Sequence, residues 1–331
     1  MEEARTWREI LGQVIKDPKE KQRLVDELDI TPITLTRWVN GESDPRPQNL
    51  RQLINALPKQ REQIQKLLRE ERGLGDLSYS DDEATKFIPA EFYARVLLAR
   101  ASTNENLRSW TTCHLILQQA LEQLDPDQRG MSIWVVRCMP PSGPHNKVRS
   151  LRESVGVGTS PWVGDLEPSA MFLGAESLAG NVVTLFRPGI IQDLNEAHNL
   201  MPATRVAYEQ SAAIYPILYA GRIAGVLLIS STEINYFLSQ SRNDLVQYYA
   251  DLTALAFDPE DFYTPEQIAL CVMPSHEEQK EYFTNFRQMV AETMLHAANK
   301  NRPVNAIQAD LLVWQRLEDE LLKLAALQDR L

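Results

Sequence analysis

The chain has 331 residues, a length that suggests two or three domains. Its composition, 44% hydrophobic and 24% charged, is typical of a soluble globular protein. The chain contains no stretch of the roughly 18 uncharged apolar residues that a membrane-spanning helix needs. Its acidic start, MEEARTWREI, does not contain the apolar core of a secretory signal. The cysteines Cys113, Cys138 and Cys271 are widely spaced and odd in number, as expected for reduced thiols. We therefore expect a cytoplasmic protein with no membrane partner.

The net charge of −11 is unevenly distributed. Residues 1–72 contain 14 Lys and Arg against 13 Asp and Glu, whereas residues 73–331 contain 20 against 32. A nearly neutral module can still bind a polyanion if its basic side chains share one face. The charge distribution therefore permits DNA binding by the N-terminal region.

The N-terminal region has the pattern of five short helices. Apolar residues at helical spacing predict a first helix over about 5–16, and Asp17 before a proline predicts the start of a second. Thr31 is expected to cap a short third helix, which Gly41 ends. Two further helices are predicted over 46–73. Two short helices joined by a tight turn inside such a bundle form the helix-turn-helix plan.

The segment DITPITLTRWVNGESDPRPQNLRQLINAL resembles the helix-turn-helix domain of the Cro and lambda-repressor (XRE) family. Its Leu-x-x-Trp in a short helix, then Asn-Gly, Pro and Leu-x-x-Leu, carry the resemblance, which covers about residues 5–70. The resemblance implies that the third helix enters the major groove of double-stranded DNA.

The exposed side of this third helix is predicted to contact DNA bases. There Arg37 could bind guanine through two hydrogen bonds, and Ile33 could pack on a thymine methyl group. The alternative is an ordinary solvated helix face. By the family pattern, Lys21, Gln22 and Arg46 hold phosphates. The predicted DNA-binding residues are Lys21, Gln22, Thr31, Pro32, Ile33, Thr36, Arg37 and Arg46.

Residues 73–89, GLGDLSYSDDEATKFIP, predict a linker. After it we expect a long helical stretch over 90–124, two strands, a helix followed by a third strand, and a hairpin that turns at Ala220-Gly221. A closing amphipathic helix ends near residue 257. The order α-β-β-α-β-β-β-α predicts an antiparallel sheet with the terminal helices on one face and a pocket on the other.

This region resembles a GAF domain over about residues 95–257. The segments SLAGNVVTLFRPGIIQDLNE and SAAIYPILYAGRIAGVLLISSTEINYFLSQSRNDLVQYYADLTALAF, with the domain's first helix and following strand, carry the resemblance. It implies a small-molecule sensor or a dimerisation module. Cys113 does not lie where bilin-binding GAF domains carry their cysteine, and the five histidines show no metal-ligand spacing. We expect an unidentified small-molecule ligand and no metal.

Polar side chains of the second half of this domain are predicted to line the pocket. Two arginines among them could hold a phosphate or a carboxylate. The alternatives are that Arg187 pairs with Asp193 at a surface turn and that Tyr215 belongs to the core. The predicted ligand-binding residues are Arg187, Asp193, His198, Arg205, Tyr208, Ser211 and Tyr215. Cys138, which ends a strand, is expected to be buried and inert rather than redox-active.

Residues 258–331 are predicted to be a helical extension. Its last segment places apolar residues at alternating spacings of three and four, close to a heptad pattern. The stripe either packs on the chain's own sensor or joins two copies of the chain. Its members are Ile307, Trp314, Leu317, Leu321, Leu324 and Leu331.

The predicted fold class is multidomain: an all-α helix-turn-helix bundle (1–72), a linker (73–89), an α+β GAF-like antiparallel-sheet domain (90–257) and a helical C-terminal tail (258–331). The predicted function is that of a ligand-responsive transcriptional regulator. It would act as a homodimer or higher homo-oligomer, because a single helix-turn-helix module buries too little surface on DNA for tight operator binding. The alternative is a protein-interaction module, such as a scaffold or an antitoxin-like partner. No Gly-rich phosphate loop, nucleophile elbow or metal-ligand motif indicates an enzyme.

Overall fold

A computed structural model of the chain describes residues 6–28, 30–43, 45, 49, 53, 56, 57, 60, 63, 64, 67, 87–195 and 208–328. The chain divides into two compact units, residues 1–82 and 83–331. Across the described ranges, none of the helices is both long enough and apolar enough to span a membrane.

Three short helices begin the N-terminal unit: α1 (Trp7–Val14), α2 (Pro18–Glu27) and α3 (Pro32–Val39). The side chain of Asp17 accepts a hydrogen bond from the backbone amide of Lys19 at 2.9 Å and so caps α2. The side chain of Thr31 caps α3 in the same way, at 3.3 Å. Both caps are therefore present where the sequence predicts them.

One apolar core holds this unit together. Leu24, Leu35 and Trp38 are buried on the facing sides of α2 and α3, together with Trp7 and Leu11 of α1. The fourth and fifth predicted helices lie largely outside the described residues. Their described apolar members, Leu53, Ala56, Leu57 and Ile64, are buried in the same core.

The second unit is built on a six-stranded antiparallel sheet with the strand order β3-β2-β1-β6-β5-β4. Its strands are β1 (Met131–Cys138), β2 (Leu151–Gly158), β3 (Phe172–Leu173), β4 (Gly189–Ile191), β5 (Ser211–Tyr219) and β6 (Arg222–Ser231). The β5–β6 hairpin turns at Ala220-Gly221, as predicted, and both residues have positive φ, at 50° and 75°. Positive φ at both central positions defines the type I′ turn, whose twist matches that of the flanking strands.

Helices cover one face of the sheet: α4 (Ala90–Ser102), α5 (Glu105–Leu124) and α7 (Gln240–Thr253). The helical stretch predicted over 90–124 is divided into two helices. Thr103 is extended, with ψ 139°, so the backbone leaves the helical path and α5 begins afresh. The short helix α6 (Leu178–Leu185) packs on the opposite face.

The C-terminal part of the unit contains α8 (His276–Phe283), α9 (Phe286–Asn299) and α10 (Ala306–Gln328). Leu317 and Leu321 of α10 are buried against Phe172 of β3. Of the two arrangements that the heptad-like stripe allows, the structure shows packing on the chain's own sheet domain.

Candidate functional site

A cavity of about 320 Å³ lies on the sheet face opposite α4, α5 and α7. Strands form its floor, and its walls come from residues 161–173, the start of α6, the segment around Ile191 and residues 208–209. Most of this lining is apolar. The floor residues are Ser132, Trp134, Ala212, Ile214, Leu228 and Ser230.

Trp134 can lie in the cavity floor because the residue paired with it on the neighbouring strand is a glycine. Trp134 of β1 is paired directly with Gly156 of β2. A Cβ atom at position 156 would lie only 2.4 Å from Cε3 of the indole. Since glycine has no side chain, the indole can lie flat against β2 and present its other side to the cavity.

A β-bulge turns Glu153 into the cavity. Val135 pairs with Val155 while Val136 pairs with Glu153, so Ser154 is an extra residue on β2. Side chains alternate along a strand, and one extra residue moves those before it to the opposite face. Val155 therefore faces the helices, whereas Glu153 faces the cavity.

The carboxyl group of Glu153 is buried in this position, with 9% of the residue exposed. Its Oε2 accepts a hydrogen bond from the amide of Met171 at 3.1 Å. Burial and, to a smaller extent, the nearby Glu209 carboxylate together raise the pKa of Glu153 to about 8, against the lowering effect of the Met171 hydrogen bond. The cavity therefore contains a carboxyl group that is protonated at neutral pH.

Polar and aromatic groups complete the lining. Glu209 accepts a hydrogen bond from the hydroxyl of Ser230 on the floor. Trp162 and Tyr208 meet edge to face, with ring centroids 4.9 Å apart. Burial lowers the pKa of His276, as does the nearby Lys280 ammonium group, so this imidazole is neutral at pH 7.

The structure places the predicted ligand-binding residues in different environments. Tyr208 lines the cavity, but Tyr215 is buried on the helical face of the sheet. The hydroxyl of Ser211 is directed to the carbonyl oxygen of Glu233, at 2.7 Å.

Of the remaining predicted ligand-binding residues, Arg187 and Asp193 are not among the residues that line the cavity. Arg187 is exposed after α6. The carboxylate of Asp193 accepts from the amide of Asn195 at 2.8 Å, in a turn of its own. His198 and Arg205 lie outside the described residues.

The sequence-based prediction missed Trp134, Glu153, Trp162 and Glu209. Trp134 carried a usable signal, because it alternates with the helix-facing Ile133 and Val135 in the strand SIWVV. The sequence around Glu153 contains no such signal, since the bulge decides on which face of the sheet this side chain lies.

Cys113 and Cys138 are free and buried, and burial raises the pKa of each thiol to about 12. Both are therefore thiols at neutral pH, and a thiol is a weaker nucleophile than a thiolate. The third free cysteine, Cys271, is exposed. Within the described part of the chain, no group of three or more His, Cys, Asp and Glu side chains has the arrangement of a metal site.

The second candidate surface is the exposed side of α3. Ile33 is 67% exposed, and Arg37 and Pro32 are exposed beside it, while Leu35 and Trp38 are buried. Pro32, Ile33, Thr36 and Arg37 thus share one open side of the helix. Together with Lys21, Asn40 and Glu42 they line a shallow groove.

Hydrogen bonds fix part of this surface. The ammonium group of Lys21 donates to the hydroxyl of Thr36 at 3.2 Å, which ties α2 to α3. The guanidinium Nε of Arg37 lies 4.0 Å from a carboxylate oxygen of Glu42. Gln22 is exposed on α2, and Thr31 is the cap of α3. Arg46, the last predicted DNA-binding residue, lies outside the described residues.

No family model matches the chain, and no curated protein matches it. Solved structures that are similar to it include the GAF domain of a phosphoenolpyruvate-protein phosphotransferase from Acinetobacter. That domain is 13% identical, with 50% of this chain and 90% of that chain covered and a TM-score of 0.34. The corresponding GAF domain from Coxiella burnetii is 17% identical, with coverages of 50% and 89% and a TM-score of 0.34. A type II free methionine-R-sulfoxide reductase from Thermoplasma acidophilum is 15% identical, with coverages of 51% and 100% and a TM-score of 0.35.

Proposed function

We propose that the chain is a cytoplasmic DNA-binding regulator whose sheet domain senses a small molecule. The cavity on the sheet face carries this proposal. Its volume of about 320 Å³ lies within the range of roughly 300–1,000 Å³ that is typical of small-molecule sites. Apolar walls with a few convergent polar groups, here Glu153, Glu209 and Ser230, are also typical of such sites.

The open side of α3 supports the DNA-binding part of the proposal. Ile33, which is 67% exposed, places an apolar side chain on this open side, where it could pack on a thymine methyl group. Beside Ile33, Arg37 offers the fork of donors that matches the O6 and N7 acceptors of guanine. The resemblance of the surrounding sequence to XRE-type domains gives the same expectation.

A population shift would connect the two activities. In a homodimer, the ligand would favour one arrangement of the two protomers, and the spacing of the two α3 helices would set operator affinity. A ligand shifts such an equilibrium only through its different affinities for the two states.

Native mass spectrometry of the purified chain tests the sensor. We expect a bound small molecule in the wild type and its loss in Ala212→Leu, because Ala212 lies in the floor and the larger side chain fills the cavity. Ala298→Leu adds the same volume at an exposed position of α9 and should retain the molecule. Retention in Ala212→Leu would place the ligand elsewhere, and no bound molecule from any source would remove the sensor function.

Two variants of Arg37 test whether this side chain recognises DNA bases. Sites enriched from a random double-stranded pool should be bound about 5- to 150-fold more weakly by Arg37→Ala, the equivalent of about 1–3 kcal/mol. Arg37→Lys keeps the charge but loses the bidentate fork, so it should lose sequence preference and keep non-specific binding. If Arg37→Ala bound the enriched sites with unchanged affinity, Arg37 would have no role in recognising the bases.

The second candidate function is protein interaction through the same open side of α3, where the adjacent exposed residues Pro32 and Ile33 offer apolar surface to a protein partner. Salt dependence separates the two functions. DNA binding through phosphate contacts weakens steeply as salt rises, whereas an apolar protein contact does not.

A further inference from the structure

The charges around the cavity restrict its occupant. Two carboxyl groups, Glu153 and Glu209, line it. Among its described lining residues there is no lysine or arginine, and His276 is the one basic side chain. Because the pKa of His276 is lowered by burial, its imidazole is neutral at pH 7. The described wall of the cavity thus offers negative charge or none.

Glu153 has unused hydrogen-bonding capacity inside the cavity. The residue is more than nine-tenths buried, and Oε2 accepts from the Met171 amide. Within the described part of the chain, Oε1 has no hydrogen-bond partner. A buried carboxylate needs a countercharge or hydrogen-bond donors, and without them it takes up a proton. A positively charged group in the cavity would supply that countercharge.

Aromatic rings line the cavity with these acids. Trp134 forms part of the floor, and Trp162 and Tyr208 meet at its wall. Ring faces attract cations electrostatically, and indole is the strongest of the side-chain rings in this respect. Aromatic surface beside a carboxyl group is a chemical combination that suits cations.

We propose that the cavity binds an organic cation, an ammonium or amidinium group on an apolar body, with its charge beside Glu153 and its body against Trp134 and Trp162. This inference rests on the proposed small-molecule binding. An anion would gain no attraction from Glu153, whose charged form is negative. A neutral molecule would leave Glu153 protonated and would gain no attraction between charges.

Calorimetry on the full chain with matched probes tests the charge requirement. Choline and 3,3-dimethylbutan-1-ol have the same shape, and only choline is charged. We expect choline to bind at least about tenfold more tightly than the alcohol, which corresponds to about 1.4 kcal/mol. Benzyltrimethylammonium should bind more tightly than choline because its ring adds apolar surface. Benzoate and inorganic phosphate should bind more weakly than either cation.

The pH dependence identifies the group that balances the charge. Benzyltrimethylammonium does not titrate, so a change in its affinity reports the protein. Its affinity should rise from pH 6 through about 8, because the cation binds the ionised form of Glu153, whose pKa lies at about 8 in the empty cavity. Glu209, Tyr208 and His276 are the other titratable groups in the described lining.

Glu153→Gln should weaken benzyltrimethylammonium binding at least about tenfold and remove the rise with pH, while its amide oxygen still accepts from Met171. Glu176→Gln is the matched control, because the Glu176 carboxylate accepts from two backbone amides outside the cavity. If circular dichroism shows that Glu153→Gln is unfolded, Trp162→Leu tests the aromatic wall, with the same selective loss of the cations expected.

Tighter binding of benzoate or phosphate than of the cations, or equal binding of choline and its neutral isostere, would overturn the cation inference and leave the sensor proposal intact. If no probe binds, the charge of the molecule found by native mass spectrometry decides: a cation supports the inference, and an anion or a neutral molecule overturns it. If that experiment also finds no molecule, both proposals fail.

Discussion

Gly156 is a single residue that determines the shape of the cavity floor. A Cβ atom there would approach Cε3 of Trp134 to 2.4 Å, which is closer than real contacts allow. In Gly156→Ala the indole or strand β2 must therefore move. Overpacking of this kind costs about 1–3 kcal/mol. We expect a loss of that size in the free energy of unfolding, measured by urea denaturation.

Gly164→Ala is the matched control, because a Cβ atom at position 164 has no heavy atom within 4 Å. Its effect should stay within about 0.5 kcal/mol, as for most surface substitutions. Equal losses for the two variants would mean that Trp134 does not depend on the missing side chain of Gly156.

Single residues also show where the sequence stops being informative. Trp134 could be assigned to the cavity face, because it alternates with buried neighbours along β1. The same alternation predicts that Glu153, two residues from Val155, lies on the sheet face that the helices cover. The bulge at Ser154 reverses that assignment, and a bulge without a glycine has no local sequence pattern. Tyr215 was misplaced because a polar tip does not prevent burial of a ring.

At the level of elements, α10 is fastened to the sheet domain by a buried acid. Glu318 is fully buried. Its two oxygens accept from the hydroxyls of Ser142 and Ser150, at 3.0 and 2.6 Å, and Arg149 lies 3.3 Å away. In Glu318→Ala the two serine hydroxyls lose their acceptor in a buried place, at a cost of about 1–3 kcal/mol, while Arg149 keeps its ion pair with Asp319. We expect lower stability and faster amide hydrogen exchange along α10.

Glu320→Ala is the control on the same helix. Glu320 pairs with Arg316 at the surface, at 2.9 Å, and exposed pairs contribute at most about 1 kcal/mol. If both variants exchanged equally fast along α10, the buried contact would not be what holds this helix.

Capping residues in the sequence predicted where helices begin, but not which surfaces those helices pack against. Asp17 and Thr31 revealed the starts of α2 and α3, because a cap is a contact within a few residues. The break between α4 and α5 was missed, since helical periodicity continues across Thr103. The heptad-like stripe predicted α10 but not its partner, because an apolar face has the same pattern whether it meets Phe172 or a second copy.

For the whole molecule, the proposed function requires communication between two units with separate apolar cores. If cavity and DNA site are coupled, the ligand changes DNA affinity by some factor, and DNA changes ligand affinity by the same factor. We expect a factor of about 5 to 150, the usual size of such coupling. It can be measured by titrating enriched DNA with the chain, with and without the molecule identified by native mass spectrometry.

Ala212→Leu separates coupling from direct effects of the ligand on DNA. With its cavity filled, this variant should bind DNA with an affinity that the ligand no longer changes, while Ala298→Leu responds like the wild type. A wild type whose DNA affinity is the same with and without saturating ligand would show two independent binding units on one chain. Such a result would remove the regulator hypothesis even if both ligand binding and DNA binding were real.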